Sequence, residues 1–383
     1  MNCNVCGSAL GNPIYTSTSK HVLTSLCELR TGIKRVWCCA SCGHLRGDAI
    51  ENTENYYATD YRILLNEEDE DQIYEATGKT IVYRTDHQVN TLLSKLRLPE
   101  GAAMLDYGCA KASTFKRLAS LRADLQLHLF DVSQMYEVHW DRFVRPERRA
   151  VLTTPADWQN RFDVVTSFFA LEHIPDPRES VKRIALLLKD DGVFYGIVPD
   201  TFGNIADFVV VDHVNHFTKP SLHTLLAGAG FSEISIDDEA HRGALVFVAR
   251  RSGQASLRPN VSQVVINAEE LAQHWSRLSG RIRAAESSFG DVPSSIYGSG
   301  FYGAYIASTL QHPKRLRVFL DRSPYQQGRL LFEKYIVEPE KLPADIRVLY
   351  VGLNPKIARS TIEKMNWLKT RALNLVFLDE DTR

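Results

Sequence analysis

The decapeptide Met104-Leu105-Asp106-Tyr107-Gly108-Cys109-Ala110-Lys111-Ala112-Ser113 (MLDYGCAKAS) passes from an apolar run through small residues into an amphipathic stretch. A buried strand that ends in a carboxylate, then a Gly-containing loop that opens a helix, begins a Rossmann-like unit. Its ligand lies across the helix N-terminus. Gly108 permits the turn, but Ala110 and Ala112 stand where glycine would let a diphosphate reach the backbone amides. The loop therefore suits an uncharged or zwitterionic ligand tail better than a dinucleotide.

Outward from this point, strand and helix patterns alternate. QVNTLLSKLRL precedes it as a helix and STFKRLASL follows as a helix. LQLHLFDV and FDVVTSFFAL read as strands, RESVKRIALLLK as an amphipathic helix and GVFYGIVPD as a strand. SLHTLLAGAGF reads as a helix, and EISIDDE with LVFVAR as a terminal strand pair. This spacing predicts an α/β fold with an open, mostly parallel sheet. After a long helix near 261–290 the pattern restarts: SSIYGSGFYGAYIASTL, LRVFLDRS, IRVLYVGL and ALNLVFLDE give a second Rossmann-like unit. The expected domains are residues 1–75 (a cysteine module with a tyrosine-rich lid), 76–252 (the core) and 253–383 (linker helix and C-terminal unit).

In the 383 residues, a net charge of −1 and 24% charged residues give no global attraction to nucleic acid or anionic membrane. MNCNVCGSAL lacks the basic-then-apolar pattern of a signal peptide, and no run of about 18 apolar residues occurs. The expectation is a cytoplasmic protein whose seven cysteines are thiols or metal ligands. Cys3-x2-Cys6-Gly and Cys39-x2-Cys42-Gly form two knuckles, and four thiolates match a closed, structural Zn2+ site.

Asp131 ends the strand after the Gly108 loop, placed to bond ribose hydroxyls, and Ala156-Asp157-Trp158 falls where the chain is expected to loop over an adenine ring. FDVVTSFFALEHIPDP followed by LLLKDDGVFYGIVPD then resembles the class I S-adenosylmethionine-dependent methyltransferases. The matching residues are Asp106, Gly108, Asp131, Asp163 and Leu171-Glu172-His173, over about residues 85–250. Ala112 stands where that loop pattern ends in Gly. The resemblance implies S-adenosylmethionine as cofactor, with Asp106, Gly108, Ala110, Asp131, Asp157, Glu172 and His173 as its candidate contacts. Methyl transfer needs a rigidly held cofactor, an aligned nucleophile and a base.

The stretch VDHVNHFTKP carries His213 and His216 beyond a strand's carboxyl end, where parallel sheets bind ligands. No carboxylate or cysteine pairs with them at recognisable spacing, so a second zinc site is not expected. They read either as helix-entry histidines bonding backbone carbonyls or as proton acceptors, whose pKa lies near the working pH. With the cysteine module and the second Rossmann-like unit, the whole chain resembles the zinc-containing sugar C-methyltransferases, which act on nucleotide-linked deoxy-4-keto sugars. In that family a Y-H-E-H-F-S-like segment holds the catalytic base. Aligned on its last three residues, His216 matches the base, Asn215 replaces Glu and His213 replaces Tyr; the three are the candidate catalytic residues.

Gly298-x-Gly300-x2-Gly303 with Asp321 is a full dinucleotide fingerprint, which alone suggests NAD. The resemblance instead implies a supporting domain without a redox step. Tyr56, Tyr57, Tyr61 and Arg62 are candidate substrate contacts, able to stack on a base or pair with a phosphate, with interdomain packing as the alternative. The expectation is a methyltransferase for a small molecule, a nucleotide-linked sugar, ahead of O- or N-methylation of a related acceptor. An RNA-base methyltransferase, which would want a basic surface, comes last. No nucleic-acid or membrane partner is expected.

Overall fold

The computed structural model describes residues 1–50, 52, 56–57, 61, 71–77, 80–251 and 260–379. They form two compact units: residues 1–14, 35–208 and 212–268 make the first, and 15–34, 209–211 and 269–379 fall in the second. The chain segment between the two cysteine knuckles, residues 15–34, thus groups with the C-terminal half rather than with the knuckles. Among the described residues no helix is long and apolar enough to cross a membrane.

The first unit is built on a seven-stranded sheet. Its order is Arg149–Val151, Gln126–Asp131, Ala103–Tyr107, Phe162–Phe168, Leu188–Pro199, Ala244–Arg250 and Glu233–Asp237. The first five run parallel, and Ala244–Arg250 is antiparallel to both its neighbours. Strands covered on both faces need continuous apolar side chains. Ala103–Tyr107 is buried at every position. Along Leu188–Pro199, Phe194 and Val198 join one core cluster while Val193, Tyr195 and Ile197 join the other, the two-residue alternation of a strand packed on both sides. Helix Ser113–Leu121 buries Thr114, Phe115 and Leu118 on one face. Asp176 caps helix Pro177–Leu187 by accepting from the Glu179 amide at 3.2 Å.

The second cysteine knuckle lies between the strands of an antiparallel pair, Arg35–Cys38 with Leu45–Gly47. A third strand comes from far along the chain: Asn215 pairs with Arg46 and His216 with Leu45.

The second unit has a six-stranded sheet in the order Leu330–Leu331, Lys334–Val337, Leu316–Leu320, Ser294–Tyr297, Val348–Val351 and Asn374–Val376. The hairpin Leu330–Leu331/Lys334–Val337 was not expected from sequence. Its two-residue turn, Phe332-Glu333, has φ of +48° and +61° without the Asn or Gly that normally marks such turns. The Gly298 loop is compact. A Cβ on Gly303 would sit 1.9 Å from the Gly298 carbonyl oxygen, and one on Gly298 would sit 2.4 Å from the Gly352 oxygen. A Cβ on Gly300 meets nothing within 4 Å. Gly303→Ala is therefore expected to destabilise the second unit by roughly 3 kcal/mol or more, and Gly300→Ala by less than about 0.5 kcal/mol. Denaturant unfolding of the two variants checks the contrast.

Candidate active site

Sheet topology gathers the first set of candidate residues. Asp106 ends the central strand, beside Thr166 of the neighbouring strand, whose hydroxyl donates to Asp106 Oδ1 at 2.9 Å. Burial pushes the Asp106 carboxyl up to about 7, against the opposing bond from Thr166. Gly108 has φ of +79°, and a Cβ there would lie 2.7 Å from Ala170 Cβ. Ala110 and Ala112 also take positive φ, +45° and +55°. The loop thus keeps a glycine-like path with alanine side chains, at roughly 1–2 kcal/mol per residue. Asp131 secures it: Oδ2 accepts from the Ala110 amide at 2.8 Å and Oδ1 from the Ser133 amide at 2.9 Å. Trp140 Nε1 donates to the Ala110 carbonyl at 2.7 Å. Asp157 lies apart from this group: its carboxylate is exposed and faces Arg161 at 3.8 Å.

A second set converges on Asp207, a residue the sequence did not single out. Its Oδ1 lies 2.6 Å from His213 Nδ1 and its Oδ2 2.9 Å from His216 Nδ1. The Thr201 hydroxyl adds a bond to Oδ2 at 3.0 Å. Asp207 is 1% exposed and His216 wholly buried. A carboxylate facing both Nδ1 atoms places protons there and leaves Nε2 of each neutral ring as the basic nitrogen. Burial alone would lower the His213 pKa, but the bond and charge of Asp207, with Asp212 and Glu172, raise it. Burial alone would raise Asp207, yet the two imidazoles hold it well below the usual carboxylate range. Sequence spacing offered these histidines no carboxylate partner, and the fold supplies one. Donor atoms of Asp207, His213 and His216 lie within 4.8 Å of one another, as do those of Glu172, His173 and His213.

His173 and Glu172 belong to this second set rather than to the Gly108 loop. The His173 ring packs edge-on against His213, centroids 4.7 Å apart, and its Nδ1 lies 2.9 Å from the Tyr57 hydroxyl and 3.1 Å from the Asp212 carbonyl. Tyr61 Oη is 3.3 Å from His173 Nε2. Tyr56 packs on both tyrosines, ring centroids 4.9 and 5.8 Å away. Arg62 lies outside the described residues. Asn215 is committed elsewhere: its Nδ2 donates to the Leu171 and Ile174 carbonyls at 2.8 and 2.7 Å, and its Oδ1 accepts from Asn4 at 2.6 Å. These bonds brace the His216 segment.

The cysteine knuckles close on each other. Cys3 and Cys42 sulfurs are 3.6 Å apart, Cys6 and Cys39 3.5 Å, and all four lie within 4.8 Å. Tetrahedral Zn–S bonds of about 2.3 Å imply S···S separations near 3.8 Å, so the donor set fits zinc. Gly7 and Gly43, at φ of +81° and +70°, make the turn behind each pair. In the second unit the fingerprint acid is turned inward: Asp321 Oδ2 accepts from Ser299 through both its amide, at 2.9 Å, and its hydroxyl, at 2.6 Å.

Glu172 provides a pH test of this buried chemistry. It is 1% exposed, and burial pushes its carboxyl from 4.5 up to about 7. Between these values the folded state holds a proton that the unfolded state has lost, so this group's contribution to stability falls as pH rises. Glu172→Gln removes that loss. The stability of the variant relative to the natural chain is expected to rise by roughly 3 kcal/mol between about pH 4.5 and 7. Urea unfolding at several pH values measures it, and a pH-independent difference refutes it.

Comparison with known proteins identifies the core. A family model described as a methyltransferase domain matches residues 81–236. The ubiquinone biosynthesis O-methyltransferase of Xanthomonas campestris pv. campestris is 29% identical over 193 residues, covering 46% of this chain and 79% of that protein. The C-methyltransferase NovU of Streptomyces niveus is 31% identical over 107 residues, 26% of this chain and 25% of that one. The solved Haemonchus contortus phosphoethanolamine N-methyltransferase 2 in complex with S-adenosyl-L-methionine is 16% identical, covering 43% of this chain and 52% of that one at a TM-score of 0.36. Residues 81–236 are a methyltransferase domain of the class I, S-adenosylmethionine-dependent kind, and the protein is an S-adenosylmethionine-dependent methyltransferase.

Proposed function

We propose that the enzyme methylates a carbon of a nucleotide-linked 4-keto deoxysugar, with His216 as the general base. The observation that carries this reading is the pair of bonds from Asp207 to His213 and His216. A base for a carbon acid must be oriented and shielded from water. His216 Nε2 answers to this, with its Nδ1 proton fixed by Asp207. S-adenosylmethionine supplies a methyl group on a sulfonium, displaced in line with loss of the positive charge at sulfur. On the acceptor, the carbon beside the ketone gives its proton to His216 Nε2, and the electron pair left on that carbon forms the new bond to the methyl group. Asp207 offsets the charge gained by the imidazole. Asp106, Gly108, Ala110 and Asp131 serve the cofactor, Asp157 less directly from its exposed position. Tyr56, Tyr57 and Tyr61, grouped around His173, serve the acceptor, with Arg62 beside them in sequence.

A hydroxyl acceptor is the second reading. It is favoured by the O-methyltransferase relative, 79% of whose length this chain covers. An oxygen nucleophile needs the same base. Cys3, Cys6, Cys39 and Cys42 would hold a Zn2+ whose role is structural, since four thiolates leave no open position. Reduced thiols and a small-molecule acceptor fit a cytoplasmic setting.

Hydrogen exchange in D2O separates carbon from oxygen acceptors. Protein with S-adenosylhomocysteine and a panel of nucleotide-linked 4-keto sugars is expected to place deuterium beside the ketone, and His216→Ala to abolish it. Exchange-free methylation of a hydroxyl would establish the second reading instead. His216→Ala should lower turnover by roughly 100-fold or more with cofactor affinity nearly unchanged, and Asp131→Ala should weaken the cofactor first. Calorimetry beside initial rates distinguishes the two. Chelation should release one zinc per chain, read by a colorimetric dye. Turnover should fall before cofactor affinity does, because the knuckles brace the His216 segment and not the Gly108 loop.

A further inference from the structure

The turn Leu171–His173 lies just beyond the strand Phe162–Phe168 and is clamped to the 213–216 segment. The Val214 amide donates to the Glu172 carbonyl at 2.9 Å, and Asn215 bonds the carbonyls of Leu171 and Ile174 on either side. The clamp gathers three side chains of metal-ligand type. One donor atom each of Glu172, His173 and His213 lies within 4.8 Å of the other two. Two imidazoles and a carboxylate are a donor set of divalent first-row metal sites that keep open positions. Spacing along the chain offered His213 no such partners, because they come from a distant turn.

Two further observations point to a cation. Glu172 is 1% exposed, and its buried Oε2 has no hydrogen-bond partner among the described residues. An acceptor left so costs about 1–3 kcal/mol. The two rings, moreover, are oriented as ligating histidines are, with the other ring N–H given to a carboxylate or a backbone carbonyl. His213 Nδ1 faces Asp207 Oδ1 at 2.6 Å, and His173 Nδ1 faces the Asp212 carbonyl at 3.1 Å. Those oxygens accept, so Nδ1 carries the proton and Nε2 is the nitrogen left for a metal. Tyr61 Oη, 3.3 Å from His173 Nε2, makes a long bond that a cation displaces. The His173 and His213 side chains keep 11% and 10% exposure, which gives an ion access. Asp207 with His213 and His216 is equally compact, but its two oxygens are already bonded to the two Nδ1 atoms.

We infer that Glu172, His173 and His213 bind a divalent first-row transition-metal cation, separate from the four-thiolate site and beside the base. Three protein ligands leave positions for water or an oxygen of the acceptor. The cation's use rests on the reading of His216 as base. With the keto oxygen on the cation, the neighbouring carbon gives its proton to His216 Nε2, and the cation offsets the negative charge left on the acceptor until the electron pair takes the methyl group. A hydroxyl acceptor held through its oxygen gains in the same way. Binding of the cation itself depends on neither acceptor.

Co2+ tests this, because its absorption spectrum reports its ligands. The dialysed full chain, with zinc in the cysteine knuckles, is expected to take up one Co2+ beyond that zinc. The spectrum should show the weak d–d bands of nitrogen and oxygen ligation without the intense charge-transfer band of a thiolate. Glu172→Gln and His213→Gln should each weaken Co2+ by roughly 100-fold or more, while retained S-adenosylhomocysteine binding shows that the variants are folded. Absence of Co2+ uptake beyond the zinc would overturn the inference. So would uptake unchanged in both variants, or thiolate bands with release of zinc, which would place the Co2+ in the knuckles. Co2+ bound as expected, with no deuterium entering any keto sugar, would uphold the cation site and count against the carbon-acceptor reading alone.

Discussion

The short pairing of Asn215–His216 against Leu45–Arg46 is the contact on which the site depends. Two residues of strand are little by themselves, and the segment is held from three other directions. Asn215 spans to the Leu171 and Ile174 carbonyls, Asn4 reaches Asn215, and the Thr218 hydroxyl donates to the Gly43 carbonyl at 3.1 Å. Asn4 and Gly43 belong to the two cysteine knuckles. The knuckles therefore act on His216 through backbone and amide bonds, without contributing a reacting group. The four-cysteine cluster, unlike His216 in its chemistry, is close to it in mechanical terms.

The polar cluster inside this frame obeys a strict electrostatic rule. One buried carboxylate, Asp207, is shared by two imidazoles, and a second, Glu172, is kept near neutrality by burial. Removing either histidine would leave Asp207 short of a partner, and breaking a buried pair costs about 3–5 kcal/mol. His173 makes its hydrogen bonds to hydroxyls and a carbonyl, and burial, helped by the nearby His213, lowers it to about 4 against the opposing pull of Asp212. Neighbouring histidines thus hold opposite tendencies, set by whether a carboxylate is bonded to the ring.

The sheet was legible wherever strands were apolar along their length or a glycine forced the path. Ala103–Tyr107, helix Ser113–Leu121 and the Gly298 loop follow directly from residue pattern. The paired knuckles were equally plain, since CxxCG fixes the geometry of its own turn. Asp207 was invisible because its role arises in three dimensions: it stands six and nine positions before the two histidines and belongs to no motif. The Phe332-Glu333 turn escaped because its backbone contradicts the usual preference of its residues. Asn215 is the opposite case: its place in a motif drew attention to chemistry, and the three bonds of its amide to Leu171, Ile174 and Asn4 were not readable from that motif.

The bond from Thr218 to Gly43 joins residues 175 positions apart, and this separation has a consequence for how the enzyme comes into being. Long-range strand pairing pays its loop-closure entropy before it gains contacts, so it forms late. Until residues beyond 216 are available, the Leu45–Gly47 strand keeps an open edge of the kind that invites wrong partners. His216 therefore takes its place only when residues near 45 and residues near 216 have met, so the geometry of the site is no more local in sequence than that pairing.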